Sequence, residues 1–217
     1  MYLTRTEADN IERRTAALEA NAGVQVITAV VGKADAYAEV PWRAFALGTV
    51  LAALAAVIAD WLRPDWMSAH AVLLHAVTIL GVGAASAVLS IVAPAYARLF
   101  LTTSRRDAEV RQFAESMFLR KALFATSGRN GILVLVSLFE RKVEILADTG
   151  LDGRVGEPQW RSVIARMTPA LASDRIAEAL EQGLARLDEI LRERVPASPP
   201  GATNELRDRP IEERGAR

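Results

Sequence analysis

The sequence has no cysteine and only two histidines among its 217 residues. The absence of cysteine excludes disulfide bonds, thiolate metal sites and cysteine nucleophiles. The 26 basic residues balance the 26 acidic ones, so charge gives no reason to expect a nucleic-acid partner. Walker loops, dinucleotide fingerprints, G-x-S-x-G and H-E-x-x-H motifs are also missing. Because no recognised catalytic set remains, the sequence favours a role other than that of an enzyme.

Two long apolar runs are present instead. Residues 44–59 carry no charge, and residues 71–97 carry none either and include His75. A bilayer core of about 30 Å requires roughly 20 apolar residues of helix. Both runs begin too far into the chain for a signal peptide. These features predict a two-helix transmembrane hairpin over residues 41–101, with the lipid bilayer as a partner; the alternative is a pair of buried helices in a soluble domain.

The flanks of the runs predict an orientation. Trp42, Trp61 and Trp66 stand where an aromatic belt would lie. A hairpin places residues 1–43 and 99–217 on one side of the membrane, and the positive-inside rule makes that side cytoplasmic. We therefore predict a two-pass protein of the inner (cell) membrane with both termini in the cytoplasm. The basic residues that flank the apolar runs on that side, against Arg63 alone in the turn, are Lys33, Arg43, Arg98, Arg105 and Arg106.

Small residues four positions apart predict close packing of the two apolar helices. His75 is expected to bond across the hairpin as a neutral side chain rather than to relay a proton, since no series of partners accompanies it. The spaced pairs are Gly48 with Ala52 and Ala56, Gly81 with Ala85, and Gly83 with Ala87.

The rest of the chain predicts one small α/β domain interrupted by the hairpin. A helix capped by Thr4 or Thr6 is followed by a strand at residues 24–31, and residues 131–138 and 142–147 predict two more. A single strand is not stable alone, so residues 24–31 should pair with residues 131–138. The predicted boundaries are 1–40 and 102–195 for the two parts of this domain. Residues 196–217 have early prolines and no periodic apolar face, which predicts a disordered tail.

The block "FATSGRNGILVLVSLFERKVEILADTG", with the opening "IERRTAALEANAGVQVITAVV", resembles the TPM domain, the thylakoid-lumen-phosphatase-like family, in its bacterial membrane-anchored members. The resemblance covers residues 7–32 and 103–193. The first strand departs from the family pattern at Ala22 and Val24, where polar residues are usual. The positions that carry the likeness are Thr126, Arg129, Gly131, Ser137, Glu140, Arg141, Val143, Ile145 and Asp148.

The resemblance implies an α/β/α sandwich around a small mixed sheet. For function it implies several possibilities, because family members are described as acid phosphatases, as calcium binders, or as assembly and repair factors of membrane complexes. Our leading hypothesis is a membrane-anchored binding, assembly or maintenance factor with a membrane-protein partner. A metal-dependent acid-phosphatase-like hydrolase and a calcium-binding sensor are the alternatives.

Three acids follow the third strand: Asp148, Asp152 and Glu157, with glycines between them. Hard cations take several oxygen ligands from flexible loops, so these residues are candidate ligands for calcium or magnesium, and Asp148 is the best of them because it ends a strand. No cofactor is otherwise implied. The alternative is a glycine-rich turn whose acids point to water.

Ser127 and Arg129 precede the second strand, in a loop that could hold a phosphate through the guanidinium and backbone amides. The alternative is an ordinary turn in which Ser and Asn bond to their own backbone. Further along, Glu140, Arg141 and Lys142 are predicted to form the polar end of a hairpin.

Overall fold

In the computed structural model, which describes residues 1–62, 69–195, 205–206 and 208–216, the chain divides into two units. One unit joins Met1–Asp35 to Asp107–Arg217, and the other is Ala36–Arg106. Within the described residues the helices are α1 (Arg5–Ala22), α2 (Glu39–Leu62), α3 (Ala69–Val92), α4 (Pro94–Ala97), α5 (Thr103–Arg120), α6 (Glu157–Ala172) and α7 (Ile176–Arg194), and the strands are β1 (Gln25–Val31), β2 (Gly131–Ser137), β3 (Lys142–Ala147) and β4 (Ile211–Glu213).

The first unit is built on a mixed sheet of order β3-β2-β1-β4. Strands β1 and β2 are parallel, with Gln25 opposite Gly131 and Val31 opposite Ser137. Strand β3 runs antiparallel to β2, and β4 runs parallel to β1. The predicted pairing of the first strand with the block after the hairpin is confirmed, and so is the α/β fold class.

Both faces of the sheet are covered, as the unbroken apolar sequence of β2 predicts. Alternate residues of each strand point to opposite faces, so Ile132 and Val134 join the core formed with α1, α6 and α7. Leu133 and Leu135 join a second core with the apolar stripe of α5. Every residue of β1 and β2 is buried. The resulting arrangement has helices on both sides of the sheet.

Helix α1 begins at a capping box. The amide of Glu7 donates to the Thr4 hydroxyl (3.3 Å), and the Thr4 amide donates to the Glu7 carboxylate (2.7 Å). The bond from the Thr4 amide is the main cause that holds the pKa of Glu7 below its ordinary value. The bond with the Thr4 hydroxyl is the second cause. The helix ends at Gly23, whose φ of 64° is the left-handed conformation that glycine adopts without strain. Thr4, rather than Thr6, is therefore the cap.

The prediction of a disordered tail is wrong for part of the C-terminal segment. Residues 205, 206 and 208–216 lie against the sheet, and Ile211–Glu213 form β4 beside β1. The prediction is wrong for this strand because edge β1 offers unpaired backbone groups that even a short charged segment can use. The remaining tail residues, 196–204, 207 and 217, lie outside the described part of the chain.

The prediction that Glu140 belongs to a polar end of the β2–β3 hairpin is wrong. Its side chain is fully buried, and its carboxylate accepts hydrogen bonds from the Ala34 amide (2.9 Å) and from the Ser137 hydroxyl. The hairpin end is therefore tied to the loop after β1. No local sequence pattern indicates this contact, because Ala34 is 106 residues away.

Replacing Glu140 by alanine is expected to lower the free energy of unfolding by about 3 kcal/mol, since two buried donors lose their acceptor. Chemical denaturation of the purified protein measures this. Glu157→Ala, which removes an exposed ion pair with Arg161 (3.1 Å), is the matched control and should cost less than about 0.5 kcal/mol. Equal losses in the two variants would contradict the assigned role of Glu140.

The second unit contains α2 and α3, which are long and apolar enough to cross a membrane by length and composition. The two candidate spans, Glu39–Leu62 and His70–Val92, have mean hydropathies of 2.0 and 2.1, and only 6% of each 18-residue window is buried. Apolar side chains such as Val57, Leu73 and Val77 are more than half exposed. These helices therefore do not bury their apolar faces within the unit, as core helices of a soluble domain would.

Contacts between α2 and α3 agree only partly with the predicted small-residue packing. A β-carbon on Gly48 would lie 3.0 Å from the Val82 carbonyl and 3.2 Å from the Gly83 α-carbon, so these backbones approach closely. The prediction is wrong for Gly81, where an added β-carbon would meet nothing within 4 Å. Gly81 therefore faces away from α2, roughly half a turn from the contact at Gly83.

Polar groups also join the two helices. The Ser86 hydroxyl donates to the Ala44 carbonyl (2.7 Å) and is bonded to the Tyr96 hydroxyl (2.7 Å). His75 Nδ1 lies 3.6 Å from Asp60 Oδ2, so His75 faces a partner across the hairpin as predicted. The predicted interfacial turn, with Arg63 and Trp66, lies outside the described residues.

Candidate functional site

One end of the sheet brings together several polar residues of the first unit. Because β1 and β2 are parallel and β3 is antiparallel, the starts of β1 and β2 meet the end of β3 there. The loop with Ser127 and Arg129 precedes β2, Asp148 follows β3, and Gln25 begins β1. We call this group, with the loop 126–130, the sheet-end site.

Arg129 and Asp148 form an ion pair at the sheet-end site. Arg129 Nη2 lies 2.9 Å from Asp148 Oδ1, which also accepts the Thr149 amide at 2.8 Å. The Asp148 side chain is only 4% exposed, whereas that of Arg129 is 51% exposed. Asp148 Oδ2 is buried without a hydrogen-bond partner among the described residues. The guanidinium thus neutralises a buried carboxylate from the solvent side.

The backbone around this pair is tightly fitted. The Gly150 amide donates to the Arg129 carbonyl at 2.8 Å, and a β-carbon on Gly150 would stand 2.5 Å from that same oxygen. Only glycine permits this approach. On the other side, the Thr126 hydroxyl accepts the Asn130 amide at 3.1 Å. These contacts fix the loop 126–130 against the turn that follows β3.

Ser127 binds a carboxylate supplied by the C-terminal segment. Its amide and its hydroxyl donate to Glu205, at 3.1 Å and 2.6 Å. Both residues predicted to hold a phosphate, Ser127 and Arg129, therefore hold carboxylates of this chain. The loop has the donors that an oxyanion requires, and the chain itself supplies the anions.

The three predicted metal ligands do not form one cluster. Asp148 is paired with Arg129, Asp152 is exposed, and the Glu157 carboxylate pairs with Arg161 on α6. Among the residues that the structure describes, no three His, Cys, Asp or Glu side chains lie close enough together to hold a metal ion. The arrangement at Asp148 is thus an internal ion pair and a turn cap.

Asp148→Ala is expected to lower the free energy of unfolding by about 2 kcal/mol, because it removes both the ion pair and the cap on Thr149. Asp148→Asn keeps an oxygen for the Thr149 amide and should lose roughly half as much. Chemical denaturation of both variants separates the two contributions. Indistinguishable losses in the two variants would show that the cap contributes nothing.

Glu19 of α1 is a buried acid that belongs to no recognised sequence motif. It is 5% exposed, and its Oε1 accepts the Val26 amide at 2.6 Å. Burial raises the pKa of Glu19 to about 8; the Val26 bond opposes this rise, and the nearby Asp208 adds to it. Its spacing was the available signal, since Ile11, Thr15 and Glu19 are four residues apart and share the buried face of the helix.

Gln25 was also missed, although it begins a correctly predicted strand. Its side-chain oxygen accepts the amides of Glu205 (2.8 Å) and Leu206 (3.0 Å). A single side chain therefore fixes the backbone of the arriving segment. Nothing near Gln25 in the sequence indicates this contact, because Glu205 is 180 residues away.

Comparison with known families finds a match over the part of the chain that carries these loops. A family model for the TPM domain matches residues 97–190, a range that includes Ser127, Arg129 and Asp148. Residues 97–190 are therefore similar to the TPM domain family. The match runs through α5, β2, β3 and α6, while α1, β1 and β4 lie outside it. The resemblance noted in the sequence is confirmed for the family over residues 103–190, whereas its opening part, residues 7–32, lies outside the match.

A solved structure supports the fold of this chain. The NMR structure of the BA42 protein from the psychrophilic bacterium Bizionia argentinensis matches with a TM-score of 0.58, covering 98% of this chain and 96% of that one. The identity is 12%, so the likeness concerns the fold alone. No curated protein matches the chain significantly.

Proposed function

We propose that this protein is a membrane-anchored TPM-domain protein that binds another membrane component and serves in its assembly or maintenance. The observation that carries the proposal is the pair of apolar helices α2 and α3. Each has 24 residues, about 36 Å of helix at 1.5 Å per residue, and a bilayer core is about 30 Å thick. Their exposed apolar side chains need a lipid or protein environment.

The sheet-end site supports binding rather than catalysis. The hydroxyl of Ser127 donates to Glu205, and Arg129 pairs with Asp148. The donors at this site suit the recognition of carboxylates on another protein.

Membrane anchoring is tested by fractionation and cysteine labelling. We expect the protein to remain with membranes after carbonate extraction, and Val77→Arg, in the middle of α3, to reduce the retained fraction. Because the chain has no cysteine, single cysteines report topology without background. A membrane-impermeant maleimide on intact cells should label Ser68→Cys, in the predicted turn, and spare Ser173→Cys. Complete release by carbonate would overturn the anchor.

The binding role is tested with a photo-crosslinking residue placed at Ser104, and with the variants Ser127→Ala and Arg129→Ala. A specific membrane-protein adduct that is lost in these variants supports the proposal. The same preparations are assayed on a generic phosphoester with calcium, magnesium or manganese. Metal-dependent turnover that Asp148→Asn abolishes, without any adduct, would replace the binding role by the hydrolase alternative.

A further inference from the structure

The C-terminal segment, of which residues 205, 206 and 208–216 are described, lies on the first unit as a bound peptide would. Its β4 strand extends the sheet beside Ala29–Val31 of β1. The Gly32 amide donates to the Glu213 carbonyl (3.0 Å), and the Ala216 amide donates to the Lys33 carbonyl (3.1 Å). At the opposite end Gln25 accepts two amides of the segment. Such main-chain recognition of an extended segment at a sheet edge is a known mode of peptide binding.

Side chains of the segment meet complementary groups along this edge. Glu205 is held by Ser127, and the Glu213 carboxylate lies 3.2 Å from Arg120. Glu212 accepts the amide of Leu3 at 3.1 Å and that of Tyr2. Between these acids, two apolar side chains pack against the core on the α5 side of the sheet: Leu206 and Ile211. The edge therefore selects an extended segment with apolar residues flanked by carboxylates.

The segment is held in a manner that permits exchange. Its strand has three residues, all of them only partly buried, and a strand this short is marginal. The ion pair with Arg120 involves a side chain that is 51% exposed, and such pairs contribute little. Asp208 also stands beside the buried Glu19 carboxyl. The segment follows the last helix of the first unit, so its release leaves the order of the core elements intact.

We propose that the β1 edge and the loop 126–130 form a recognition site for an extended acidic and apolar segment of a partner protein, and that residues 205–216 occupy this site in cis as a competitor. The proposal rests on the binding role proposed above and names the chemistry of the partner. A tethered segment competes at an effective concentration on the order of millimolar. A partner segment must therefore bind well, or be held nearby by the membrane, to replace it.

The experiment uses the full chain in detergent micelles and a fluorescein-labelled synthetic peptide with the sequence of residues 205–216. In the variant Leu206→Ser/Ile211→Ser the cis segment loses its apolar contacts. We expect this variant to bind the peptide at least tenfold more tightly than the wild type, by fluorescence anisotropy. Adding Gln25→Ala to the variant should weaken binding at least tenfold. The exposed Arg120→Ala, which leaves the core untouched, should weaken it about threefold.

Three results would overturn the proposal. One is equal peptide affinity in the wild type and in the Leu206→Ser/Ile211→Ser variant; another is no binding to that variant. The third is equal binding of a control peptide that carries aspartate in place of Ile211. The crosslinking test of the proposed function is independent. An adduct without peptide binding would support the binding role and exclude the β1 edge as the recognition site. Peptide binding without membrane retention would support the β1 edge as a recognition site and exclude the membrane anchor.

Discussion

Glu19→Gln is expected to raise the free energy of unfolding at pH 9 by on the order of 3 kcal/mol and to flatten its dependence on pH. Burial raises the pKa of Glu19 from 4.5 to about 8 in the folded protein, and the neighbouring Asp208 contributes to that rise. Glutamine retains a side-chain oxygen for the Val26 amide, which Glu19 Oε1 accepts at 2.6 Å. The substitution therefore removes the charge and keeps the hydrogen bond.

The sign of the pH effect follows from the two pKa values. Below pH 4.5 Glu19 is protonated in both the folded and the unfolded chain, and its burial carries no ionisation cost. Between pH 4.5 and about 8 the unfolded chain releases the proton while the folded chain keeps it, so stability falls as the pH rises. Above about pH 8 both states are ionised and the full cost is present. The stability that Glu19 contributes in its neutral form is thus lost with rising pH.

Thermal and chemical denaturation at pH 5, 7 and 9 measure the difference between wild type and variant. The gap should be small at pH 5 and widest at pH 9. Asp208→Asn should also raise the free energy of unfolding at pH 9, but by less than Glu19→Gln does, because it removes only the neighbouring acid. Glu12→Gln, on the same helix with a side chain that is 40% exposed, serves as the matched control. A gap for Glu19→Gln that is constant across the three pH values would refute the assignment.

The central strands were predictable because they depend on local composition and on one physical requirement. The apolar run of β2 predicts a strand covered on both faces, and β1 required a partner because a lone strand is unstable. The Arg129–Asp148 contact follows from the same logic, since the antiparallel register pairs Ile132 with Ala147 and so joins the two strand ends. Local pattern and hairpin geometry together locate most of the sheet-end site.

The C-terminal contribution to this site could not be predicted in the same way. Residues Ile211–Glu213 have no apolar periodicity, and their strand exists because the edge of β1 offers partners to its backbone. Likewise, Glu205 reaches Ser127 across 78 residues of sequence. Contacts that depend on main-chain pairing over such separations leave no trace in composition or spacing. The hydrogen bond from the Ala34 amide to the Glu140 carboxylate is a further instance.

Gly48→Val is expected to separate α2 from α3, at a cost of about 2 kcal/mol in helix association. The first added carbon would already stand 2.8 Å from the Ser86 β-carbon and 3.0 Å from the Val82 carbonyl. Neither of these atoms is the free end of a flexible side chain, so the helices themselves must move apart. The Ser86 hydroxyl would then lose its bond to the Ala44 carbonyl, which measures 2.7 Å.

Gly81→Val is the matched control, because it makes the same chemical change on α3 at a position with no neighbour within 4 Å. The readout is a disulfide between Asp60→Cys and His75→Cys. In the native protein the Oδ2 atom of Asp60 lies 3.6 Å from the Nδ1 atom of His75 across the hairpin. The chain has no other cysteine, so oxidation reports this pair alone. Disulfide yield should fall several-fold with Gly48→Val and stay unchanged with Gly81→Val.

The comparison between the two glycines separates packing from composition. Both substitutions add the same apolar volume, so any general effect of hydropathy on expression or insertion is shared. Only the Gly48 variant places that volume between the helices. Equal disulfide yields in the two variants would mean that the close approach at Gly48 does not hold the hairpin together, and the Ser86 hydroxyl, which bonds to the Ala44 carbonyl, would then be the group to change next.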